Sequence, residues 1–437
     1  MSSARGSGKL FRILIITYAF PPLNSIASHR PYSWARVWCD EGHTIHVLTL
    51  AKYGYDGFSD LQCDMNGIWV HEAPYLGQHG HSSVSSSTEP VKSAHRWEWL
   101  KRVTRRIRLG LGMFGDVRLL AYPSMVREGL RIGRDQKIDL IIATAPPEMV
   151  FFVARTLSKK LGIPWVADFR DAWFPDLRLY HTKLVGLVAG PINRWLVKTA
   201  NTCVTVSRGL QQRLSSYLGR EVFLVYNGFF EAGRDATPPR RPWNDGKLHI
   251  AYTGRIYPRK QDPEPLFRAL ASLGRLRRDL PHRVSVDFYG FDRPWLHPLI
   301  KRHGVEDCVR LCEFVPYRES INVQRAADVL LFLDWTEGQG DGMLTGKLFE
   351  YFGSGRPILA IGARKDSEAA RLIAETGCGV TLTSDVEIID YFQNLLVTER
   401  SDVVGSLVCD ALSRERQARA LLDHLNARLF STGRDGR

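Results

Sequence analysis

Several absences narrow this chain before any residue is given a task. No apolar run reaches the roughly 18 residues that a helix needs to cross a bilayer, so a spanning segment is not expected. The seven cysteines contain no CxxC pair, and their odd number does not suit a disulfide framework; a reducing, cytoplasmic setting is the expectation. Cys308 and Cys312 have a zinc-like gap, yet no second pair accompanies them, and a buried strand thiol is expected instead. No DxD triplet occurs anywhere, which argues against an obligatory metal ion holding a diphosphate. A Walker A loop is missing too. Its spacing would put Asp341 where a glycine belongs and Leu348 where a magnesium-holding hydroxyl belongs, so ATP hydrolysis is disfavoured.

The sequence that is present reads as two domains. Its 437 residues exceed one ordinary core, and 44% hydrophobic with 24% charged residues describes a globular chain. A net charge of +13 implies an anionic partner: a nucleotide diphosphate, an anionic lipid headgroup or a nucleic acid. No nucleic-acid module accompanies the charge, so nucleic acid is not expected.

Strand-like and helix-like segments alternate, which predicts α/β domains with parallel sheets. Ile13-Leu14-Ile15-Ile16 follows two cations but is short, flanked by Arg12 and ended by Pro21-Pro22, so it reads as a first strand rather than a signal peptide. The loop after it lacks the GxGxxG dinucleotide fingerprint and offers Asn24, Ser25 and Ser28 before a helix. Further strands are expected at 44–50, 138–144, 165–168, 203–206 and 222–226, then at 249–252, 284–289, 329–333 and 358–361. The charged, proline-rich segment after Asn227-Gly228 marks a linker. The division is therefore 1–230, linker 231–246, 247–403, and a C-terminal helix with tail over 404–437.

Residues 97–118 interleave Trp97, Trp99, Leu100, Val103, Ile107 and Phe114 with Lys101, Arg102, Arg105, Arg106 and Arg108, up to Arg118. Two readings stay open. Such a helix can lie on an anionic membrane, giving peripheral attachment to the inner face of the plasma membrane, or it can pack on its own domain.

The most informative stretch is 341–362, DGMLTGKLFEYFGSGRPILAIG. It follows the apolar run Val329-Leu330-Leu331-Phe332-Leu333 through a loop whose Gly338, Gly340 and Gly342 permit turns closed to other residues. Thr345 stands as N-cap, Lys347 and Glu350 share one helix side, and Gly353 and Gly355 end the helix. A short helix at a strand's carboxyl end aims N–H groups outward and favours a phosphate. A carboxylate one turn in can accept hydrogen bonds from ribose hydroxyls. The bland alternative is a surface Lys–Glu pair worth a few tenths of a kcal/mol, on the order of 0.3. Upstream, Gly254-Arg255 ends a strand and Lys260 follows within the same loop, where two cations can neutralise a diphosphate leaving group. Asp168-Phe169-Arg170-Asp171 leaves another strand: its carboxylates can orient an acceptor or take its proton, or they can form an internal Asp–Arg pair that holds the loop.

TGKLFEYFGSGRPILAIG, with the GR…K loop, resembles the donor-binding segment of retaining nucleotide-sugar glycosyltransferases of family 4, which have the two-domain GT-B architecture. The resemblance implies two Rossmann-like parallel-sheet domains facing across a cleft, with the last helix, near 411–429, crossing back to the first domain. It implies donor contacts from Gly254, Arg255, Lys260, Pro316, Gly342, Met343, Leu344, Thr345, Lys347 and Glu350, with Glu350 holding the ribose. Catalytic roles are expected for Asp168, Asp171, Arg255 and Lys260, and acceptor contacts for Asn24, Ser25 and Arg170. The implied reaction moves a sugar from a UDP- or GDP-sugar to a lipid-linked or growing glycan with retention, with no cofactor beyond the nucleotide-sugar substrate. Gly342 stands where the family often has an earlier glutamate, and the first loop lacks the family's glycine pair. The alternatives are an inactive GT-B scaffold and a nucleotide-sugar epimerase or hydrolase.

Overall fold

A computed structural model describes residues 9–52, 61, 63–74, 117–171, 183–231, 241–290, 294–336, 342, 344–362, 364–397 and 408–430. Residues 97–116, 338–341, Met343 and most of the expected linker lie outside them. The chain divides into two compact units, one made of 1–225 with 418–437 and the other of 226–417.

The first unit is built on seven strands: β1 (Arg12–Thr17), β2 (Thr44–Leu50), β3 (Ile68–Ala73), β4 (Leu140–Ala145), β5 (Trp165–Phe169), β6 (Thr202–Thr205) and β7 (Phe223–Leu224). They pair in the order β3-β2-β1-β4-β5-β6-β7, every pair parallel. The central strands are largely apolar and buried: β4 and β5 are buried at every position, with Thr144 and Asp168 as polar exceptions. Each such aliphatic side chain contributes roughly 1.5–3 kcal/mol on burial. The helices Tyr122–Asp135 and Met149–Leu161 lie against each other at two glycines, since a Cβ on Gly129 would sit 2.4 Å from Leu157 Cδ1 and one on Gly133 2.3 Å from Leu161 Cδ1.

The second unit has six strands: β8 (Leu248–Thr253), β9 (Val284–Tyr289), β10 (Val309–Cys312), β11 (Val329–Leu333), β12 (Ile358–Ile361) and β13 (Gly379–Leu382). Their order is β10-β9-β8-β11-β12-β13, again all parallel. In both sheets the strand order reverses once, between β1 and β4 and between β8 and β11. Open α/β sheets place ligands outside the carboxyl ends of the strands at that switch point.

The expected strands are present with ends matching or shifted by at most two residues, and β10 was expected only through the strand thiol at Cys308 or Cys312; β3 and β13 were not anticipated. Both are edge strands with exposed positions, such as Trp69 and Val380, and so lack the apolar run that marks a central strand. Cys308 and Cys312 bracket β10, and all seven cysteines are free thiols. The final helix, Arg414–Phe430, starts in the second unit and ends in the first, where Trp38 Nε1 donates to the Ala418 carbonyl at 2.9 Å. No described helix is long and apolar enough to cross a membrane.

Candidate functional site

At the switch point of the second sheet, β8 ends in Gly254, whose φ of +98° only glycine adopts without strain, and its N–H donates to the Tyr289 carbonyl at 2.8 Å. A Cβ on neighbouring Gly290 would lie 2.5 Å from the Gly254 oxygen, so the two strand ends interlock. From there residues 255–260 loop outward. Tyr252 Oη donates to the Arg255 carbonyl at 2.8 Å, and Lys347 Nζ approaches the same oxygen at 3.4 Å while standing 3.5 Å from the Tyr252 ring centroid. The Arg255 and Lys260 side chains are exposed at this rim. Lys260 Nζ lies 5.6 Å from the Trp335 ring, itself stacked on Tyr257 at 5.7 Å. A backbone bond from Thr336 N to the Lys260 carbonyl (2.8 Å) and a side-chain bond from Gln261 Nε2 to the Leu333 carbonyl (2.7 Å) tie this loop to the end of β11.

The helix Gly346–Ser354 begins beside the loop and ends at Gly355, whose φ of +73° makes the left-handed cap. Thr345 occupies the N-cap position, but its hydroxyl makes no capping bond. Leu348 N instead donates to the Thr345 carbonyl at 3.2 Å, so the expected side-chain cap is absent. Gly353 lies inside the helix rather than ending it: a Cβ there would come within 2.5 Å of the Phe229 ring, so the residue serves close packing. Leu348, Phe349, Tyr351 and Phe352 anchor the helix in the core, and Thr253 N donates to Tyr351 Oη at 3.1 Å.

That anchoring sets Glu350 and Lys347 on the side facing β8 and the helix Tyr317–Ala326. Gln324, fully buried on that helix, donates through Nε2 to Glu350 Oε2 (3.0 Å) and to Thr253 Oγ1 (3.1 Å). Burial pushes the Glu350 carboxyl above its ordinary pKa, and the Gln324 bond with the charges of Arg414 and Lys347 only partly opposes it. Gln324 was invisible to sequence reading, because its role depends on which helix faces Glu350. Gly342, buried and at φ +83°, turns just ahead of Leu344 and Thr345, and Pro316 caps the helix that Tyr317 opens, Pro316 and Tyr317 being exposed.

The first unit treats its expected residues differently. Asp168 is completely buried and accepts from Arg30 Nε (3.0 Å) and Nη2 (2.8 Å) and from Thr144 Oγ1 (2.6 Å). Arg30, itself 2% exposed, also donates to the Val225 carbonyl at 2.8 Å. A carboxylate so enclosed does not reach an acceptor, and its ion-pair partner is Arg30, a residue that sequence reading passed over. Arg170 donates to the carbonyls of Ala145 (3.2 Å) and Ala27 (2.7 Å) and to that of Pro146, which makes it a strut between loops rather than an acceptor contact. Of the DFRD segment only Asp171 is exposed. Asn24 is exposed, Ser25 precedes the helix Ile26–Asp40 with its hydroxyl 3.0 Å from that of Ser28, and His29 sits in the helix's first turn.

Two units, each a parallel sheet whose strand order reverses once, are the GT-B fold; one switch point gathers a glycine, cations and the half-buried Glu350 carboxylate. Residues 27–228, which fall almost entirely within the first unit, match the family described as "Glycosyl transferase 4-like domain". The chain is similar in structure to the lipopolysaccharide outer core galactosyltransferase WaaB in its apo form, with a TM-score of 0.55 at 12% identity over 96% of this chain and 100% of that one. It is similar to a sucrose-phosphate synthase from Thermosynechococcus elongatus (TM-score 0.53, 11% identity, 96% of each chain). It is also similar to a UDP-N-acetylglucosamine 2-epimerase (TM-score 0.50, 12% identity, 96% and 95% covered). At such identities the likeness concerns the fold, which hosts more than one reaction. No curated protein matches the chain in sequence.

Proposed function

We propose that this protein transfers a sugar from a UDP- or GDP-sugar to a lipid-linked or growing glycan, with retention of configuration and without a metal ion, at the cytoplasmic face of a membrane. The observation that carries the reading is the group at the end of β8: Gly254 backbone, exposed Arg255 and Lys260, and a Glu350 carboxylate held by Gln324 beside an open helix N-terminus. Glu350 accepts hydrogen bonds from the ribose hydroxyls of the nucleotide. The N–H groups of Gly346 and Lys347, with the charges of Arg255 and Lys260, stabilise the negative charge that builds on the departing diphosphate. In a front-face displacement that diphosphate also receives the acceptor's proton, which suits a site whose nearest carboxylate already binds the ribose.

The test is a thermal-shift screen of UDP-, GDP- and ADP-sugars followed by product analysis with and without glycan acceptors. One nucleotide should raise the melting temperature in proportion to about 2.7 kcal/mol at a hundred times its Kd. Absence of any nucleotide-dependent shift sinks the proposal in favour of an inactive scaffold. Isomerised or freed sugar without an acceptor turns it to an epimerase or hydrolase.

A further inference from the structure

The loop after β8 and the end of β11 carry an aromatic pair that the donor contacts do not use. Tyr257, in that loop, lies on Trp335, just past β11, with ring centroids 5.7 Å apart and planes inclined by 23°. Trp335 covers one face of the Tyr257 ring, yet the residue is still 43% exposed, so the exposure falls on its other face and edge. Lys260 Nζ, 5.6 Å from the Trp335 ring centroid, belongs to an exposed residue as well. Trp335 Nε1 is buried and has no hydrogen-bond partner among the described residues.

The loop that carries Tyr257 is fastened along its length. Tyr257 N donates to Gln261 Oε1 (3.1 Å), and its carbonyl accepts from Lys260 N (3.1 Å) and Gln261 N (2.9 Å). Gln261 pairs with Trp335 as an isolated antiparallel bridge, and Thr336 Oγ1 donates to the Arg259 carbonyl at 3.3 Å. Arg259 sits at φ +65°, a left-handed conformation that is strained for a residue with a side chain. Hydrogen bonds and backbone strain thus hold an aromatic ring at the surface, where water favours a polar side chain.

A flat ring fixed with one face outward suits a partner with polarised C–H bonds. The face of an aromatic ring is its negative side, and the C–H bonds of a pyranose, drawn positive by the sugar's oxygens, meet it while the hydroxyls stay at the edge. The Lys260 ammonium supplies donors for those hydroxyls. A nucleobase also stacks on aromatic rings, but the order of groups along the site points away from it. On the transfer reading above, Glu350 takes the ribose on the side of the helix Tyr317–Ala326, and the diphosphate lies between the N-terminus of the helix Gly346–Ser354 and Lys260. The aromatic pair adjoins Lys260 and so lies beyond the diphosphate from the ribose.

We propose that Tyr257, stacked on Trp335, is a platform for a pyranose ring. Which pyranose arrives there rests on the transfer reading: it is the sugar being transferred or the terminal sugar of a glycan acceptor.

Two measurements on the full chain test the platform. Saturation-transfer NMR titrates methyl β-D-glucopyranoside, methyl β-D-galactopyranoside and methyl α-D-mannopyranoside, beside glucitol, which has the hydroxyls and no ring. Calorimetry compares UDP with UDP-glucose, UDP-galactose and UDP-N-acetylglucosamine, and GDP with GDP-mannose. Tyr257→Ala should weaken a pyranoside, or a nucleotide-sugar relative to its bare nucleotide, about fivefold to tenfold. Tyr257→Phe should keep the affinity, since stacking does not need the hydroxyl. Loss on the nucleotide-sugar assigns the platform to the transferred sugar, and loss on the free pyranoside with the nucleotide-sugar unchanged assigns it to the acceptor. The platform is overturned if both readouts ignore Tyr257→Ala, if glucitol matches the pyranosides, or if bare UDP or GDP is weakened instead. Tyr257-dependent pyranoside binding in a chain that binds no nucleotide defeats the transfer reading alone. Nucleotide binding with both sugar readouts unchanged defeats the platform alone.

Discussion

The two sheets share a topology and differ in what they do with charge at their carboxyl ends. In the first, Asp168 and Arg170 are consumed: one is locked to Arg30 and Thr144, the other to backbone carbonyls. In the second, Glu350 is pinned from behind by Gln324, while Arg255 and Lys260 remain at the surface. A charged residue at a strand end is therefore not in itself a ligand group. What decides is whether the surrounding chain has already satisfied it.

The comparison breaks most visibly at Asp168. Asp168→Ala takes from the buried Arg30 guanidinium the carboxylate that its Nε and Nη2 donate to, and urea unfolding should show a loss of about 3–5 kcal/mol, with Arg30→Met added to it recovering a part. Nucleotide affinity under folding conditions should not change. Glu350→Ala should do the reverse, weakening UDP or GDP in calorimetry by about 1.5–3 kcal/mol with the melting temperature held. If both substitutions alter stability alone, the distinction between the sheets fails.

Glycines sharpen the same contrast at smaller scale. Gly254→Ala and Gly162→Ala both force a side chain into positive φ, at +98° and +70°, and each should cost about 1–2 kcal/mol of stability. Only the first should also weaken nucleotide, because its Cβ would come within 3.4 Å of Lys347 Cε, whereas a Cβ on Gly162 meets nothing within 4 Å.

The smallest effect is on pH dependence. The folded Glu350 pKa lies above its ordinary 4.5, so the folded state holds that proton more tightly than the unfolded chain does. Its contribution to stability is therefore greatest in acid and declines as pH rises from about 4.5 through the folded value. Glu350→Gln should flatten that decline in melting temperature. On the proposed ribose contact, nucleotide affinity of the unmodified protein should fall as pH drops through the same window, because protonation removes the carboxylate that would accept from the ribose hydroxyls.

Much of the architecture was legible because a central parallel strand, covered on both faces, has to be apolar throughout: Ile13–Ile16, Val329–Leu333 and Ile358–Ile361 announce themselves. The edge strands β3 and β13 do not, since half of their surface is free to be polar. In the segment 341–362 the lysine and glutamate of one short helix could be paired with the GR…K loop through the resemblance to family 4, and in the fold both lie at the carboxyl end of one parallel sheet. The DFRD segment gave the opposite lesson. Its acceptor role and its internal-pair role look identical in sequence, and the resolving partner, Arg30, lies 138 positions away.

The order of residues by itself determined an α/β chain of two parallel sheets and a glycine-framed, cationic strand end with a carboxylate one helical turn on, because periodicity and backbone permission are local properties. Only the tertiary structure decided which charges are spent and which are offered: that Asp168 belongs to Arg30, that Gln324 steadies Glu350, and that Lys260 stands over the Trp335 ring. The reason is physical. The energy of a buried charge depends on the dipoles and partners folded around it, and those arrive from distant parts of the chain.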